Sequence, residues 1–387
     1  MEGWKLLVTV GWLFPTCQGY DPKNILVLGG NGFIGAATSE RLIARGDNLV
    51  LVNRGNWYWD SHSTVKPHVK HLTCDRQRQL RHCEDLRRFK DFVYFDVVVD
   101  FSAYHSEAVE DVLDLLKGRV GRYIYISSDS VYEVCSKNHS NPSRESDAVR
   151  PMNAEEKLQM AGKDDYGHRK LECEEVLVRQ RQEEGGVPYV LLRLPDVIGP
   201  RDNTYRWWMY QMWLRLSGYL ERQISIPKFL MDQKLSFVYS LDVADMVVKL
   251  TDCELGKFDN AYNLGTDEMP TLLEVLELMK RQLNLENTHI PVNDSAEAIY
   301  LFPSVKLGPV DSSKAKDMLN WTPTSFETIS RQTIRFYEFA IRNKGFVLAR
   351  KEIIRNMQAY FTKQPHNVLY GLNGVYGIKY PDTHDEL

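Results

Sequence analysis

Residues 25–35 read ILVLGGNGFIG, an apolar run that passes directly into a glycine-rich turn. The residues that follow, 36–45, have the apolar and polar pattern of a helix. Gly29 allows a tight turn, Gly32 lets the backbone approach a pyrophosphate, and Gly35 lets the helix pack closely on the strand. The N-terminus of such a helix stabilises negative charge. The stretch therefore predicts a strand, turn and helix that bind a dinucleotide.

The N-terminal half continues this alternation of strand and helix patterns. Further strands are predicted at 49–52, 97–99, 123–126 and 189–194, and helices at 107–116 and 166–184. Alternating units of this kind predict an α/β fold, a doubly wound parallel sheet (Rossmann) with ligands at the carboxyl ends of the strands. From Pro195 the pattern loosens, and helices are predicted at 272–283 and 325–342. This change predicts a smaller second lobe built from the C-terminal half.

Both ends of the chain carry targeting patterns. Residues 6–14 form an apolar run, Pro15 breaks it, and Cys17 and Gly19 are small residues at the positions that a signal peptidase reads. The run is too short to span a bilayer. The last four residues, 384–387, read HDEL, a receptor-read address for retention in the endoplasmic reticulum. We therefore expect a soluble luminal protein without a membrane span in its mature chain, and a retention receptor as a partner.

These patterns divide the chain into four predicted parts. The predicted parts are a signal peptide at 1–19, a Rossmann domain at 20–196 to which 229–262 returns, a substrate-binding lobe at 197–228 and 263–345, and a C-terminal tail with the retention signal at 346–387.

The composition is that of a globular protein with balanced charge. The chain has 387 residues, 43% hydrophobic and 26% charged, with a formal net charge of -4. This balance implies no polyanionic partner, so we expect no nucleic acid. The cysteines lack metal-ligand spacing, so we expect no metal, whereas an oxidising lumen permits a disulfide, with Cys74 and Cys83 as the nearest pair. N-glycosylation sequons begin at Asn138, Asn293 and Asn320.

The end of the second predicted strand indicates which dinucleotide is bound. An acid at this point would bind a ribose hydroxyl, whereas an arginine can accommodate a 2′-phosphate. The chain has Asn53-Arg54-Gly55 here, with no acid. Since Arg54 can form a forked contact with phosphate, the sequence favours NADP, with NAD as the alternative. A solvated loop charge is the other interpretation of Arg54.

Three residues form a candidate catalytic set. Tyr166 and Lys170 lie one helical turn apart, so their side chains share a face, and Ser128 ends the preceding strand. A phenol is a poor base at neutral pH, but a nearby ammonium stabilises the phenolate and lowers its pKa. The set therefore predicts acid/base chemistry. The alternative for Tyr166 is an ordinary surface tyrosine, because a chain with 20 tyrosines contains about one Tyr-x-x-x-Lys by chance.

Together these motifs resemble the extended short-chain dehydrogenase/reductase family of NAD(P)-dependent epimerases and dehydratases. The resemblance runs from about residue 25 to 342 and is carried by the three glycines and by residues 127–132, 166–170, 193–201, 237–244 and 262–265. Asn53-Arg54-Gly55 and Asp75-Arg76 are similar to an atypical branch that includes chloroplast stem-loop RNA-binding proteins.

The resemblance implies a role for each matching residue. Tyr166 becomes the acid/base, Lys170 its electrostatic partner and ribose anchor, and Ser128 the hydroxyl that polarises the substrate oxygen. Asp129 matches the acid of the dehydratase branch, but Ser130 replaces the glutamate beside it, so a turn cap is an equal alternative. The residues expected to bind cofactor are Gly29, Gly32, Phe33, Ile34, Gly35, Asn53, Arg54, Asp75 and Lys170.

The sequence says less about the substrate. Arg201, Trp207 and Trp208 follow the exit from the predicted sheet, and we expect them to contact a small-molecule substrate; the core of the second lobe is the alternative for the tryptophans. The expected function is that of a luminal NAD(P)-dependent oxidoreductase or epimerase for a sugar or nucleotide sugar. A homodimer is compatible with this function. The other hypotheses are a catalytically idle member that binds RNA or a protein, and a luminal folding factor that keeps the cofactor for structure. The complete catalytic set favours the enzyme.

Overall fold

The computed structural model describes residues 20–136, 140–295, 298–303, 306 and 308–379. The predicted signal peptide, the retention signal and the sequon at Asn138 lie outside these residues. Within the described ranges, no helix is long and apolar enough to cross a membrane.

A parallel sheet of seven strands forms the centre of the N-terminal lobe. The strands of the described chain are β1 (Asn24–Leu28), β2 (Asn48–Asn53), β3 (Lys70–Thr73), β4 (Val97–Asp100), β5 (Tyr123–Ser128), β6 (Tyr189–Leu194), β7 (Asp196–Ile198), β8 (Ile226–Pro227), β9 (Phe237–Tyr239), β10 (Asn260–Asn263) and β11 (Val292–Asn293). The order across the sheet is β3-β2-β1-β4-β5-β6-β10, which confirms the predicted doubly wound fold. The order reverses between β1 and β4, so a crevice opens at their carboxyl ends.

Helices cover both faces of this sheet and build the second lobe. They are α1 (Phe33–Arg45), α2 (Ser61–Thr64), α3 (Glu84–Lys90), α4 (Ser106–Leu115), α5 (Ala154–Lys163), α6 (Asp165–Gln180), α7 (Arg206–Arg215), α8 (Ser240–Leu250), α9 (Leu272–Gln282), α10 (Ser313–Leu319), α11 (Phe326–Ala340), α12 (Val347–Phe361) and α13 (His366–Tyr376). Alternate residues of each buried strand serve opposite faces. In β1, Ile25 and Val27 pack under α1 and α8, whereas Leu26 and Leu28 pack under α4 and α6.

The second lobe has its own core, which is rich in aromatic side chains. Helices α7, α9, α11, α12 and α13 enclose it, beside the short pairs β7 with β9 and β8 with β11. Residues 347–376, within the predicted tail, are therefore folded: Phe361 is fully buried, with its ring centroid 4.3 Å from that of Trp213. By contrast, α10 lies on the sheet lobe, where Ala315 and Leu319 join the core under α8.

One loop of the sheet lobe crosses into the second lobe. Residues 54–60 follow β2 and carry Trp59, whose ring lies 5.4–5.6 Å from those of Trp208, Phe336 and Phe346. The Trp59 indole Nε1 donates to Asn203 Oδ1 at 3.1 Å. A residue from the first lobe thus completes the core of the second.

Candidate active site

A cleft of about 1430 Å³ opens between the two lobes at the carboxyl ends of the strands. A recess of about 560 Å³ adjoins it and extends past the end of β2. The two spaces share the lining residues Gly29, Asn31, Arg54, Tyr58, Ser102 and Tyr104. The glycine turn therefore lies at the junction between a large cleft and a smaller side recess.

The glycine turn has the geometry that its sequence requires. Gly29 has φ 84°, in the left-handed region that favours glycine, and its N–H donates to Val52 O at 3.2 Å. A Cβ on Gly35 would lie 2.3 Å from Gly29 O, so α1 could not approach β1 as closely. At the start of α1, Gly32 caps the helix without a side-chain hydrogen bond, which leaves the first N–H groups open to an anionic ligand.

Two buried donors in the recess have no partner among the described residues. Asn53 Oδ1 accepts from Gly55 N at 2.7 Å and contacts His71 Nε2 at 3.0 Å, while Asn53 Nδ2 is unpaired. Arg76 Nε is likewise buried and unpaired. Buried donors are normally satisfied in folded proteins, so these atoms fit a ligand that supplies hydroxyl or phosphate oxygens. The recess therefore has the chemistry expected for the adenosine end of a dinucleotide.

Arg54 and Asp75, both expected to bind cofactor, also line this recess. Arg54 is exposed, and no carboxylate in the described ranges lies within salt-bridge distance of its guanidinium. Asp75 Oδ1 accepts from Gln77 N at 3.1 Å and so begins a short turn. Of the two, Arg54 is the one whose charge is left available to a ligand.

An ion pair that the sequence did not reveal holds Arg76, which lines the recess. Arg76 Nη1 and Nη2 donate to the two Asp100 oxygens at 2.6 and 2.9 Å, and Tyr123 OH donates to Asp100 Oδ2 at 2.6 Å. Burial opposes the charge on Asp100, but these donors hold the pKa of that carboxyl below its usual value. The signal in the sequence was the position of Asp100 at the end of a buried strand.

The three expected catalytic residues lie on one wall of the cleft. Ser128 ends β5, and its Oγ donates to Asp129 Oδ1 at 3.2 Å. Lys170 is 3% exposed on α6, and its Nζ donates to Ile126 O at 2.6 Å and Ala103 O at 3.1 Å. Tyr166, one turn earlier, is 46% exposed toward the cleft. The structure thus brings together side chains from two elements that are 38 residues or more apart.

The electrostatics of this wall differ from the expectation of a lowered tyrosine pKa. The surroundings of the hydroxyl raise the pKa of Tyr166 above its usual value, mainly through burial, with the hydrogen bond to Ser128 acting the other way. Burial also lowers the pKa of Lys170 to about 8. Without a ligand, the surroundings therefore favour the protonated phenol of Tyr166. They also make the charged form of Lys170 less favoured than that of an exposed lysine.

A group of carboxyls faces Tyr166 from the same cleft. Burial, together with the nearby charge of Asp196, raises the pKa of Asp129 to about 8. Burial raises the pKa of Asp196 itself to about 7, although Arg206 forms an ion pair with it. Burial therefore favours the protonated form of Asp129. The sequence did not single out Asp196 or Arg206, whose pairing depends on how α7 enters the cleft.

The helix that carries Tyr166 and Lys170 is fixed to the sheet by a buried ion pair. Glu174, one turn beyond Lys170, accepts from Arg193 Nη2 at 2.7 Å and from Ser127 Oγ at 2.6 Å. Arg193 also donates to Glu145 O at 2.9 Å. Both partners are at most 5% exposed. This anchor joins α6 to β5 and β6 and sets the height of the catalytic side chains above the sheet.

The structure corrects the three residues expected to contact substrate. Trp207 and Trp208 are fully buried, because α7 packs on the second-lobe core from Trp207 through Leu214. The Trp208 ring stacks on Tyr337 at 4.9 Å instead of facing the cleft. Arg201 does not line the cleft either: its guanidinium donates to Glu40 at 2.8 Å and Asp60 at 2.9 Å.

Comparison with known proteins places the chain in a family. The model of the NAD dependent epimerase/dehydratase family matches residues 25–265. The chloroplast stem-loop binding protein of 41 kDa b from Arabidopsis thaliana is 30% identical over 203 residues, 49% of this chain and only 46% of that protein. The dTDP-6-deoxy-L-talose 4-dehydrogenase (NAD(P)(+)) of Kitasatospora kifunensis is 23% identical over 332 residues, 78% of this chain and 91% of that protein.

Solved structures show the same fold. A UDP-glucose 4-epimerase from Thermotoga maritima matches with a TM-score of 0.61 at 20% identity, over 82% of this chain and 100% of that one. A dTDP-glucose 4,6-dehydratase from Bacillus anthracis, solved with NAD, matches with a TM-score of 0.64 at 17% identity, over 86% and 99%. Because the family model spans more than half of the chain and the glycine turn and recess suit a dinucleotide, the chain belongs to the NAD dependent epimerase/dehydratase family.

Proposed function

We propose that this protein is a luminal, NADP-preferring dehydrogenase or epimerase that acts at a hydroxyl-bearing carbon of a nucleotide sugar or a similar sugar. The observation that carries the proposal is the placement of Ser128, Tyr166 and Lys170 on one wall of the interlobe cleft, beside the glycine turn. A cleft of about 1430 Å³ exceeds the roughly 300–1,000 Å³ of an ordinary ligand pocket. It has room for a substrate next to a dinucleotide.

The residues around the turn would hold the cofactor. The start of α1 would meet its diphosphate, Asn53 Nδ2 and Arg76 Nε would donate to the adenosine end, and Lys170, which lines the same cleft, would anchor the ribose. When bound, the nicotinamide supplies the acceptor for a hydride from the substrate C–H. Arg54 is the basis for the preference for NADP, because its uncompensated guanidinium suits a 2′-phosphate and the end of β2 carries no acid.

The protein's own part in the reaction is proton transfer and orientation. Ser128 Oγ is placed to hydrogen-bond the substrate oxygen, while Tyr166 takes the proton of the hydroxyl as the carbonyl forms. Since burial raises the pKa of Tyr166, that proton transfer needs additional positive charge nearby. The charge of Arg206 already acts to lower the pKa of Tyr166, and Lys170 lies one turn further along α6. Asp129, whose protonated form is favoured by burial, would be a second proton donor on the same wall.

A sugar substrate is supported by the named relatives and by two lysines that line the cleft. The talose dehydrogenase and the structurally similar epimerase and dehydratase are named for dTDP- or UDP-linked sugars. Lys163 and Lys306 line the cleft beyond the catalytic wall and suit a diphosphate. Ser130 in place of a second acid favours dehydrogenation or epimerisation over loss of water.

The luminal location is supported by the two terminal patterns and by the disulfide chemistry of the chain. Cys74 and Cys83 are bonded, with Cα atoms 5.7 Å apart, as is usual for proteins of oxidising compartments. Two of the candidate glycosylation sites lie in the described part of the chain, and Asn320 is exposed at the end of α10.

The stem-loop binding relative favours one further candidate, a family member that binds nucleic acid without turnover. Its 30% identity extends over about half of the chain. The intact set of Ser128, Tyr166 and Lys170 supports the enzyme over this alternative, because binding of nucleic acid does not require these three side chains on one wall of the cleft.

The test is turnover of dTDP- and UDP-sugars by purified protein with NADP or NAD. A dehydrogenase changes the nicotinamide absorbance, and an epimerase changes the sugar proton spectrum without net change in cofactor. Tyr166→Phe keeps the ring and should lower kcat by at least about 10²-fold. Tyr370→Phe, 63% exposed on α13, is the matched control and should keep full activity.

A Tyr166→Phe protein with unchanged turnover would refute the proposed role. Cofactor binding without turnover of any sugar, together with tight RNA binding, would instead favour the binding module.

A further inference from the structure

The disulfide lies in the wall of the cofactor recess. Cys74 follows β3, is 5% exposed and lines the recess itself. The bond to Cys83 closes a ring of ten residues, 74–83, that ends where α3 begins. Within this ring the recess is lined by Cys74, Asp75, Arg76, Gln77 and Gln79. One short covalent ring therefore supplies a continuous side of the space that receives the adenosine end.

Regular structure does little to hold this ring. It contains two single turns, Arg76–Arg78 and Leu80–His82, and β3 is the edge strand of the sheet, paired only with β2. Gln79 has φ 62°, a conformation that non-glycine residues adopt only when their surroundings impose it. Such a segment depends on its anchors for its shape.

The ring is held by polar contacts, by the buried Leu80 side chain and by the disulfide, which is the only covalent anchor among the described residues. Arg76 is bound to Asp100, and the N–H groups of Leu80 and Arg81 donate to the Asp111 carboxylate on α4. Neither polar anchor fixes Gln77 or the link to α3. Without the bond, the segment between β3 and α3 gains conformational freedom that ligand binding would then have to remove.

We propose that the Cys74–Cys83 disulfide positions the adenosine wall of the recess, so that the affinity for NAD(P) depends on its oxidation state. This inference rests on the assignment of the recess to the cofactor. Reduction by a dithiol breaks the S–S bond and places one proton and one electron on each sulfur, while the dithiol becomes a cyclic disulfide. The oxidised protein is the form with the ordered recess.

The experiment compares dissociation constants for NADP and NAD by calorimetry in three states of the wild-type protein. These are the oxidised protein, the protein reduced with dithiothreitol, and the reduced protein after reoxidation. Reduction should weaken binding by about 5- to 100-fold, where the upper bound follows from the loop-closure entropy of a ten-residue ring. Reoxidation should restore it. The KM for the cofactor should rise, with kcat at saturating cofactor little changed.

Variants separate this effect from other actions of the reductant. Cys74→Ser with Cys83→Ser should bind like the reduced protein and not respond to dithiothreitol. Cys253→Ser, which removes a half-buried free thiol, is the matched control and should bind like the oxidised wild type. Should the double variant fail to fold, the reversible reduction of the wild type decides the question, with far-UV circular dichroism reporting that the fold persists.

The outcomes distinguish the two levels of the proposal. Dissociation constants that agree within about twofold before and after reduction would overturn the role of the disulfide and leave cofactor binding intact. An oxidised protein that binds neither NADP nor NAD would refute the assignment of the recess itself.

Discussion

The buried pair of Arg193 and Glu174 gives a quantitative test of how the catalytic helix is held. Arg193→Met keeps most of the side-chain volume and removes the cation, which leaves Glu174 with Ser127 Oγ as its remaining donor. Both charged groups are at most 5% exposed, so solvent does not replace the lost partner. Breaking a buried pair in this way costs about 3–5 kcal/mol. For roughly 370 residues, with an unfolding entropy of about 2.1 cal/mol/K each, that corresponds to a fall in Tm of about 4–6 °C.

A double-mutant cycle measures the pair by itself. Glu174→Leu combined with Arg193→Met removes both charges, and replacement of both partners is far less costly than removal of one. In urea unfolding, the loss of stability in the double variant should therefore be smaller, by at least about 2 kcal/mol, than the sum of the losses in the two single variants. The double variant should still be less stable than the wild type, since Glu145 O also loses its Arg193 donor.

The same variant also has a functional consequence. The anchor sets the position of α6, and a misplacement of about 1 Å at the reacting groups can cost about 10²-fold in rate. Arg193→Met should thus lower kcat by about 10- to 100-fold at temperatures far below its Tm, with a smaller change in the KM for cofactor. Strictly additive stability losses, or a Tm within 1 °C of wild type, would refute the reasoning from the buried pair.

Four further outcomes are expected. Arg54→Ala should remove the preference for NADP, about 10- to 100-fold in affinity, as measured by calorimetry with both cofactors; equal affinities in the wild type would contradict the assignment. Lys170→Ala should lower kcat and also weaken cofactor binding, whereas Tyr166→Phe should lower kcat alone. Because burial raises the pKa of Asp129 from 3.8 to about 8, its folded carboxyl binds the proton more tightly than the unfolded one, so its contribution to stability is complete at acid pH and is lost as the pH rises to about 8. Asp129→Asn should remove up to about 1.4 kcal/mol per pH unit of that slope in urea unfolding between pH 5 and 7, and an unchanged slope would count against the buried acid. Deletion of residues 384–387 should move the protein from the cell into the medium, and intracellular retention of the truncated protein would argue against the address.

Local spacing was sufficient for much of the fold and for the placement of the catalytic set. The strand predicted at 189–194 matches β6, and the glycine turn lies where its spacing placed it. Tyr166 and Lys170 could be put on one face because a helix brings residues four apart together. The helix after the turn begins at Phe33 and not at residue 36, since Gly32 is its N-cap and Gly35 lies in its first turn. Strand β3 was missed because it is a short edge strand in which only Leu72 is buried.

The contacts between distant charges could not be predicted from the sequence. Arg76 meets Asp100 across 24 residues, and Arg201 meets Asp60 across 141. Composition shows that such charges exist, but only the packing of the elements decides which of them pair. The tryptophans of α7 were ambiguous for a related reason. A helix that is apolar all round is buried, and periodicity alone does not say whether a cleft or a core covers it.

The crossing loop that carries Trp59 limits how the two lobes can be exchanged or inherited. By chain position the loop belongs with the dinucleotide-binding half, yet the Trp59 ring fills the aromatic interior built from α7, α11 and the turn before α12. A chimera that took residues 20–196 from one relative and the remainder from another would join an indole to an interior shaped for a different side chain. Recombination within the family should therefore succeed more often when residues 54–60 travel with the second lobe. Since Arg54 lies in the same seven residues, a new substrate lobe would then bring its own cofactor preference with it.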